Sequence, residues 1–277
     1  MKTYVQELRA KQQANFKMNE GDYIDPQSGL CICGKCKNPR QTQVEMFGKM
    51  ETVSCECKCD EIEKAEKAKK EKAENIRRNK IEAFGGKYAV RGEYTFENDD
   101  QPASIASQVA KKYVEYFPEN RMRGEGLLLY SPLTGGGKTF LACAVANALI
   151  EAGFLGRVTS FAELADEMAY KNRFDVLSDL YDLDFIVIDD LGAENTNQFV
   201  ISAEHRIIEE LTDRNIPFIF TTNYTPKEMA EIEDRAKHRI FDRVLGKSYG
   251  VRIDPPEGKS RRVTNFLRLT NEIKNEL

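Results

Sequence analysis

No apolar run in this 277-residue chain approaches the roughly 18–20 residues a helix needs to cross a membrane. The first residues, MKTYVQELRAKQQ, carry none of the apolar core of a secretory signal, so a cytoplasmic protein without a membrane partner is expected. Excess positive charge is missing too. Lys+Arg number 41 against 45 Asp+Glu, and a net charge of −4 excludes attachment to nucleic acid by bulk charge while leaving room for a local basic surface. Histidine is scarce. His205 and His238 are the only two, neither has a partner at a useful spacing, and both read as structural.

Charge of both signs is what the chain does have. At 31% charged and 41% apolar residues, it reads as a globular protein with one or two solvated helices. Its length suits one medium domain plus a small accessory one. Residues 1–20 suggest a short amphipathic helix with Tyr4, Leu8 and Phe16 towards one side. From Asp60 to about Lys80, DEIEKAEKAKKEKAENIRRNK is nearly all helix formers of mixed charge with no apolar stripe, so an exposed spacer helix is predicted. A basic surface for DNA around Arg77, Arg78 and Lys80 is the alternative use of that segment.

Six of the seven cysteines cluster: Cys31, Cys33, Cys36, Cys55, Cys57 and Cys59. In a reducing compartment such clustering points to metal more than to disulfides. Cys33-x-x-Cys36 has knuckle spacing, and CECKC follows about twenty residues later, as tetrahedral Zn²⁺ requires of two close thiolate pairs. Cys33, Cys36, Cys57 and Cys59 are the favoured ligands, with Cys31 and Cys55 as spares. An iron–sulfur cluster and free thiols are the alternatives. Cys143, apart from the rest, reads as a small core residue.

After the loop GEYTFENDDQP, residues 103–117 place Ile105, Val109, Tyr113 and Phe117 at helical spacing. Beyond them, short apolar runs at 126–130, 156–161, 185–189, 217–223 and 249–253 alternate with helical stretches. Continuous apolar strands of this kind predict an α/β domain around a largely parallel sheet covered on both faces.

Between the first run and the next helix lies SPLTGGGKTF. A glycine-rich turn from strand to helix offers backbone N–H groups and a helix N-terminus to phosphates. Thr134, Gly135, Gly136, Gly137, Lys138, Thr139 and Phe140 form the expected nucleotide loop, with Lys138 reaching the β/γ-phosphates and Thr139 binding Mg²⁺. Pro132 stands where the first glycine of such loops belongs, so the entry to the turn is expected to be modified rather than the site lost. A glycine-rich cap without ligand is the bland alternative. Downstream, FIVIDD ends a strand in two acids: Asp189 suits the water shell of Mg²⁺ and Asp190 suits polarising the attacking water. Inward positions of the helix after the loop are read as Phe140, Leu141, Ala144, Val145, Ala148 and Leu149.

LLLYSPLTGGGKTFLACAVANAL, VTSFAELADEM, IVIDDLGAE, FIFTTNYTP and RIFDRV follow in that order. Together they resemble an AAA+ ATPase of the DnaC/DnaI type of replicative helicase loader, especially forms of phages and mobile elements. The resemblance implies an AAA+ P-loop fold, ATP with Mg²⁺, and three segments: 1–60 with a zinc module that holds the helicase, 61–90 a helical linker, and 91–277 the ATPase domain. It further implies that Asn223 is a polar sensor between the two acid-bearing elements that reads the γ-phosphate. Arg243, or Arg239 one turn earlier, matches the finger that reaches a neighbouring subunit's ATP. In KSRRVTNF, Arg262, with Arg261 as substitute, matches a cis-acting sensor arginine.

Such a finger makes sense only in an assembly, so ATP-dependent self-association is implied, with a hexameric replicative DNA helicase and single-stranded DNA as partners. Asp190 stands where many such proteins have glutamate, and its shorter reach suggests slow hydrolysis. A transposition helper ATPase of the IstB type, acting on duplex DNA and a transposase, is the alternative. A zinc-containing adaptor with a relic ATP site is a third.

Overall fold

The computed structural model of the protein describes residues 17–46, 48–192, 198–256 and 260–276. The expected helix carrying Tyr4, Leu8 and Phe16 lies outside the described residues. Two compact units divide between Asn75 and Ile76.

In the first unit, strands β1 (Tyr23–Ile24) and β2 (Cys31–Ile32) pair antiparallel, and β3 (Gln41–Met46) forms a hairpin with β4 (Lys49–Ser54). Gly48 supplies the left-handed backbone, φ 75°, at the reversal. Almost every hairpin side chain is exposed. Among the described residues before helix α1 (Lys58–Ala83), the buried hydrophobic positions are Cys31, Cys33 and Cys57 alone. This unit therefore has almost no apolar core to fold it. Helix α1 covers the segment expected to be an exposed helix: Asp60 and Glu61 lie at the positive end of its dipole, and Ala83 is the buried residue among its 26.

The second unit continues through 3₁₀ turns at Gly86–Glu93 and Phe96–Asn98 to helix α2 (Ile105–Glu115), whose first turn is capped by the Ser104 hydroxyl. The helix expected over 103–117 is broken. Pro118 cannot donate to the preceding turn, so Phe117 opens a separate helix, α3 (Phe117–Arg123). Of the residues at helical spacing, Ile105 is 81% exposed and Tyr113 is buried, and Ala106 and Ala110 face the core beside Tyr113.

There follow β5 (Gly126–Tyr130), α4 (Lys138–Ala152), β6 (Gly156–Ser160), α5 (Phe161–Tyr170), α6 (Arg173–Tyr181), β7 (Phe185–Leu191), α7 (Gln198–Asp213), β8 (Phe218–Thr222), α8 (Pro226–Ala230), α9 (Arg235–Gly246), β9 (Ser248–Arg252) and α10 (Arg261–Glu276). The five strands β5–β9 form one parallel sheet in the order β6-β7-β8-β5-β9. Alternate side chains enter two different cores: Leu127, Leu129 and Val187 on one face, Leu128, Ile186 and Ile188 on the other. Both faces are covered, which is why the strands read as unbroken apolar runs. Helix α4 is buried nearly all round, from Leu141 through Asn147, because the sheet lies on one side and α2 with the 3₁₀ turns on the other. Phe140 and Ala148, assigned to its inward face, are half-buried instead. No helix among the described residues is long and apolar enough to cross a membrane.

Candidate phosphate-binding and metal sites

In a parallel sheet the loops at the carboxyl ends of the strands converge on one edge, and the candidate site is assembled there. β5 delivers the loop 131–137, β7 delivers Asp189 and Asp190, and β8 delivers Asn223. Gly135 and Gly137 take left-handed backbone, with φ of 74° and 97°. Pro132 is exposed, and the hydroxyl of Ser131 shapes the entry, accepting the Leu133 N–H at 3.1 Å and donating to Asp254 at 3.2 Å.

Lys138, only 8% exposed, opens α4 and points back under the loop. Its Nζ donates to Asn223 Oδ1 at 2.9 Å and to the carbonyls of Ser131 and Leu133 at 3.3 and 3.2 Å. Burial holds its pKa below the ordinary lysine value. Asn223 belongs to the loop end of β8, which runs between the acid-bearing strand β7 and the phosphate-loop strand β5. Its expected place between two acid-bearing elements is corrected accordingly.

Thr139 Oγ1 donates to Asp189 Oδ1 at 2.8 Å. A hydroxyl and a buried carboxylate at that separation fit a hard divalent cation and its water shell. Thr221 donates to the same oxygen at 2.6 Å, and Arg91 binds Oδ2 at 2.8 Å. Asp190 is exposed and sits in a bulge of β7 at φ 61°, its N–H held by Thr221 Oγ1 at 2.8 Å. Desolvation, then the neighbouring Asp189 carboxylate, push its pKa above the usual aspartate range. Of the remaining loop residues, Thr134 is exposed, Gly136 buried, and Phe140 lies with its ring 5.3 Å from that of Tyr94.

The arginines fall in three places. Arg243, half-buried on α9, pairs with Glu209 at 3.3 Å, while Arg239 on the same helix is exposed. Arg261 rests on the loop: its N–H donates to Gly135 O at 3.2 Å, its guanidinium reaches the Gly136 carbonyl, and Asp100 grips it at 2.7 and 3.0 Å. Arg262, the favoured member of the pair, is exposed, though its charge is felt by both Lys138 and Asp190. Thus the loop contact belongs to the residue held as substitute.

In the first unit the Sγ atoms of Cys33, Cys36, Cys57 and Cys59 all lie within 4.8 Å of one another. A zinc tetrahedron with Zn–S bonds of about 2.3 Å has edges of roughly 3.8 Å, so the four thiols fit this ion. Cys31 and Cys55 stay outside the group. Hydrogen bonds from Asn38 bring the Cys36 thiol down to about 5, which favours a ready thiolate, while burial pushes Cys57 up. A charged strut supports both arms: Arg40 bridges Asp22 at 3.0 Å and Asp60 at 2.8 Å. Asp22 in turn accepts the Gly34 N–H, and Asp60 the Cys57 N–H. Such outer contacts orient ligands without touching the metal.

Arg91, Thr221, Arg40 and Asp22 went unforeseen. Thr221 had a weak signal, a hydroxyl pair inside the apolar run PFIFTTN. Arg91 had none.

Residues 42–266 match the family described as IstB-like ATP binding protein. The replicative helicase loader DnaI of Bacillus subtilis is 25% identical over 154 residues, 50% of this chain and 48% of that protein. The replicative helicase loader DnaC of Escherichia coli K12 is 26% identical over 165 residues, 57% of this chain and 64% of the relative. The chain thus matches about half to under two thirds of the length of these relatives. A crystal structure of the DnaC helicase loader superimposes with a TM-score of 0.51 at 21% identity, over 60% of this chain and 99% of that one, and shows the shared fold.

Proposed function

Since the chain belongs to the family of IstB-like ATP binding proteins, we propose that it is a Mg²⁺-dependent ATPase acting as a loader of the replicative DNA helicase. The observation that carries this reading is the convergence of Lys138, Asn223, Thr139 and Asp189 at the strand ends. In the proposed reaction the amides of Gly135–Thr139 hold the phosphates and the Lys138 ammonium balances their charge. Asn223 exchanges its bond to Lys138 for one to the γ-phosphate or the attacking water. Asp190 takes the proton of that water as the γ-phosphoryl group transfers to its oxygen. Thr139 and Asp189 would hold magnesium, which would supply positive charge to the phosphates.

Arg262 or Arg261 serves the nucleotide in cis. Arg243, once free of Glu209, or Arg239 serves that of a neighbouring copy in an ATP-dependent homo-oligomer. The zinc module within 1–60 grips the helicase, 61–90 is the linker, and 91–277 is the ATPase domain of a cytoplasmic protein. For single-stranded DNA, the described surface offers Tyr170 and Phe174, 91% and 78% exposed, on either side of Lys171 and Asn172. Aromatics interleaved with a cation suit stacked bases.

Native mass spectrometry of the full chain with its host's replicative helicase, with and without ATP, tests the loader reading. A defined complex lost on replacing Cys33 and Cys36 is the expected result. The family match itself keeps a second reading in play, an IstB-like transposition helper that binds duplex DNA and a transposase. No helicase complex under either condition would favour it. Hydrolysis is expected to be slow, because the aspartate at 190 reaches less far than glutamate. Single-turnover rates should rise in Asp190→Glu, and an unchanged or lower rate would count against short reach as the cause.

A further inference from the structure

Arg91 lies 98 residues before Asp189 in sequence, yet donates to its Oδ2 at 2.8 Å. The Asp189 side chain is 4% exposed. Oδ1 already accepts from Thr139 and Thr221, and with two lone pairs it is saturated. Whatever else approaches this carboxylate must do so at Oδ2, where the guanidinium sits. A buried carboxylate beside a second acid needs a positive charge nearby, and Arg91 is the cation in contact with it. Its guanidinium also covers the ring of Tyr88 at 4.6 Å, so it is packed as well as paired. Both residues belong to the 3₁₀ turn Gly86–Glu93, which directly follows the charged helix α1 in the chain.

This inference rests on the ATP reading above. We infer that Arg91 is a positioning residue that neutralises Asp189 in the nucleotide-free protein and gives up Oδ2 when hydrated magnesium arrives with ATP. Two cations drawn to one carboxylate oxygen repel, so the guanidinium and the hydrated ion compete for Oδ2. The magnesium–nucleotide complex brings several compensating contacts and displaces the single guanidinium. The turn 86–93 is thereby released, and the stretch that leads to the linker senses the filled site. Arg91 thus competes with the metal, and the magnesium requirement of the protein is set partly by it.

The test titrates Mg²⁺ into the full chain with a fluorescent ATP analogue, for wild type, Arg91→Gln and Arg91→Lys. Hydrogen exchange of residues 86–93 is followed in parallel, and melting temperatures verify that each variant is folded. Expected are a fall of about tenfold in half-saturating Mg²⁺ for Arg91→Gln, a smaller fall for Arg91→Lys, and faster exchange over 86–93 in wild type with Mg²⁺ and nucleotide but not with nucleotide and chelator. If Arg91→Gln unfolds, the lysine variant and the wild-type exchange decide. Intact nucleotide binding with an unchanged or increased Mg²⁺ requirement, or exchange over 86–93 indifferent to Mg²⁺, overturns the role given to Arg91 alone. Failure of wild type to bind nucleotide overturns the ATP reading and this inference with it.

Discussion

Lys138→Ala is expected to remove ATP turnover, with a loss of roughly 10²–10³-fold or more, the effect typical of deleting one preorganised charge donor from a transferring group. The same substitution should leave the fold intact, and the reason lies in the geometry. Lys138 is buried, and its nitrogen is bonded to an amide oxygen and two carbonyls rather than to a carboxylate. Burial lowers its pKa, so the protonated amine opposes folding. That opposition is complete below the folded-state pKa and fades as pH rises towards the unfolded value. Lys138→Met, which keeps the volume, should therefore melt within about 5 °C of wild type at neutral pH while failing to bind ATP. Nucleotide binding by fluorescence, beside thermal melts, checks both halves. A well-folded Lys138→Met protein that binds and hydrolyses ATP at the wild-type rate would end the role given to Lys138 and its loop.

The second large effect concerns the metal. The described residues before α1 bury three cysteines and no other hydrophobic side chain, so apolar burial contributes little to folding them. Zinc binding of roughly 10–16 kcal/mol would be the dominant stabilising contribution. Chelation, or Cys33→Ser with Cys36→Ser, is expected to abolish hydrogen-exchange protection across 17–57 and release one equivalent of zinc. Protection in strands β5–β9 should persist, because that unit has two apolar cores of its own. Undiminished protection across 17–57 in metal-free protein would rule out the zinc fold. Acidification should act in the same direction as chelation, since the ligands bind as thiolates and protons compete for them.

The features legible in the sequence are those encoded by near neighbours in the chain. A strand buried on both faces needs consecutive apolar residues, and all five predicted strands are present within two residues of their expected ends. A glycine-rich turn directly before a helix is a local feature, and Gly135–Gly137 stand directly before α4. The charged spacer helix follows from helix formers without an apolar stripe. Where local reading failed, a local competitor was undervalued: Pro118 divides the helix expected over 103–117.

Composition and short-range pattern by themselves determined the fold class, the glycine-rich turn between β5 and α4 and the presence of a clustered thiol site. Tertiary structure alone decided which distant residues complete them. Strand order brings Asn223 to Lys138 across 85 residues, and packing of the 86–93 turn against α4 accompanies the contact of Arg91 with Asp189 across 98. Chain reversal in the first unit gathers four of six clustered thiols and leaves Cys31 and Cys55 aside. The placement of α10 sets Arg261, not Arg262, against the loop carbonyls. The physical reason is common to all of these. Helix and strand periodicity constrain residues a few positions apart, whereas a contact between strand ends depends on how the whole sheet is ordered, and a single side chain carries no mark of that order.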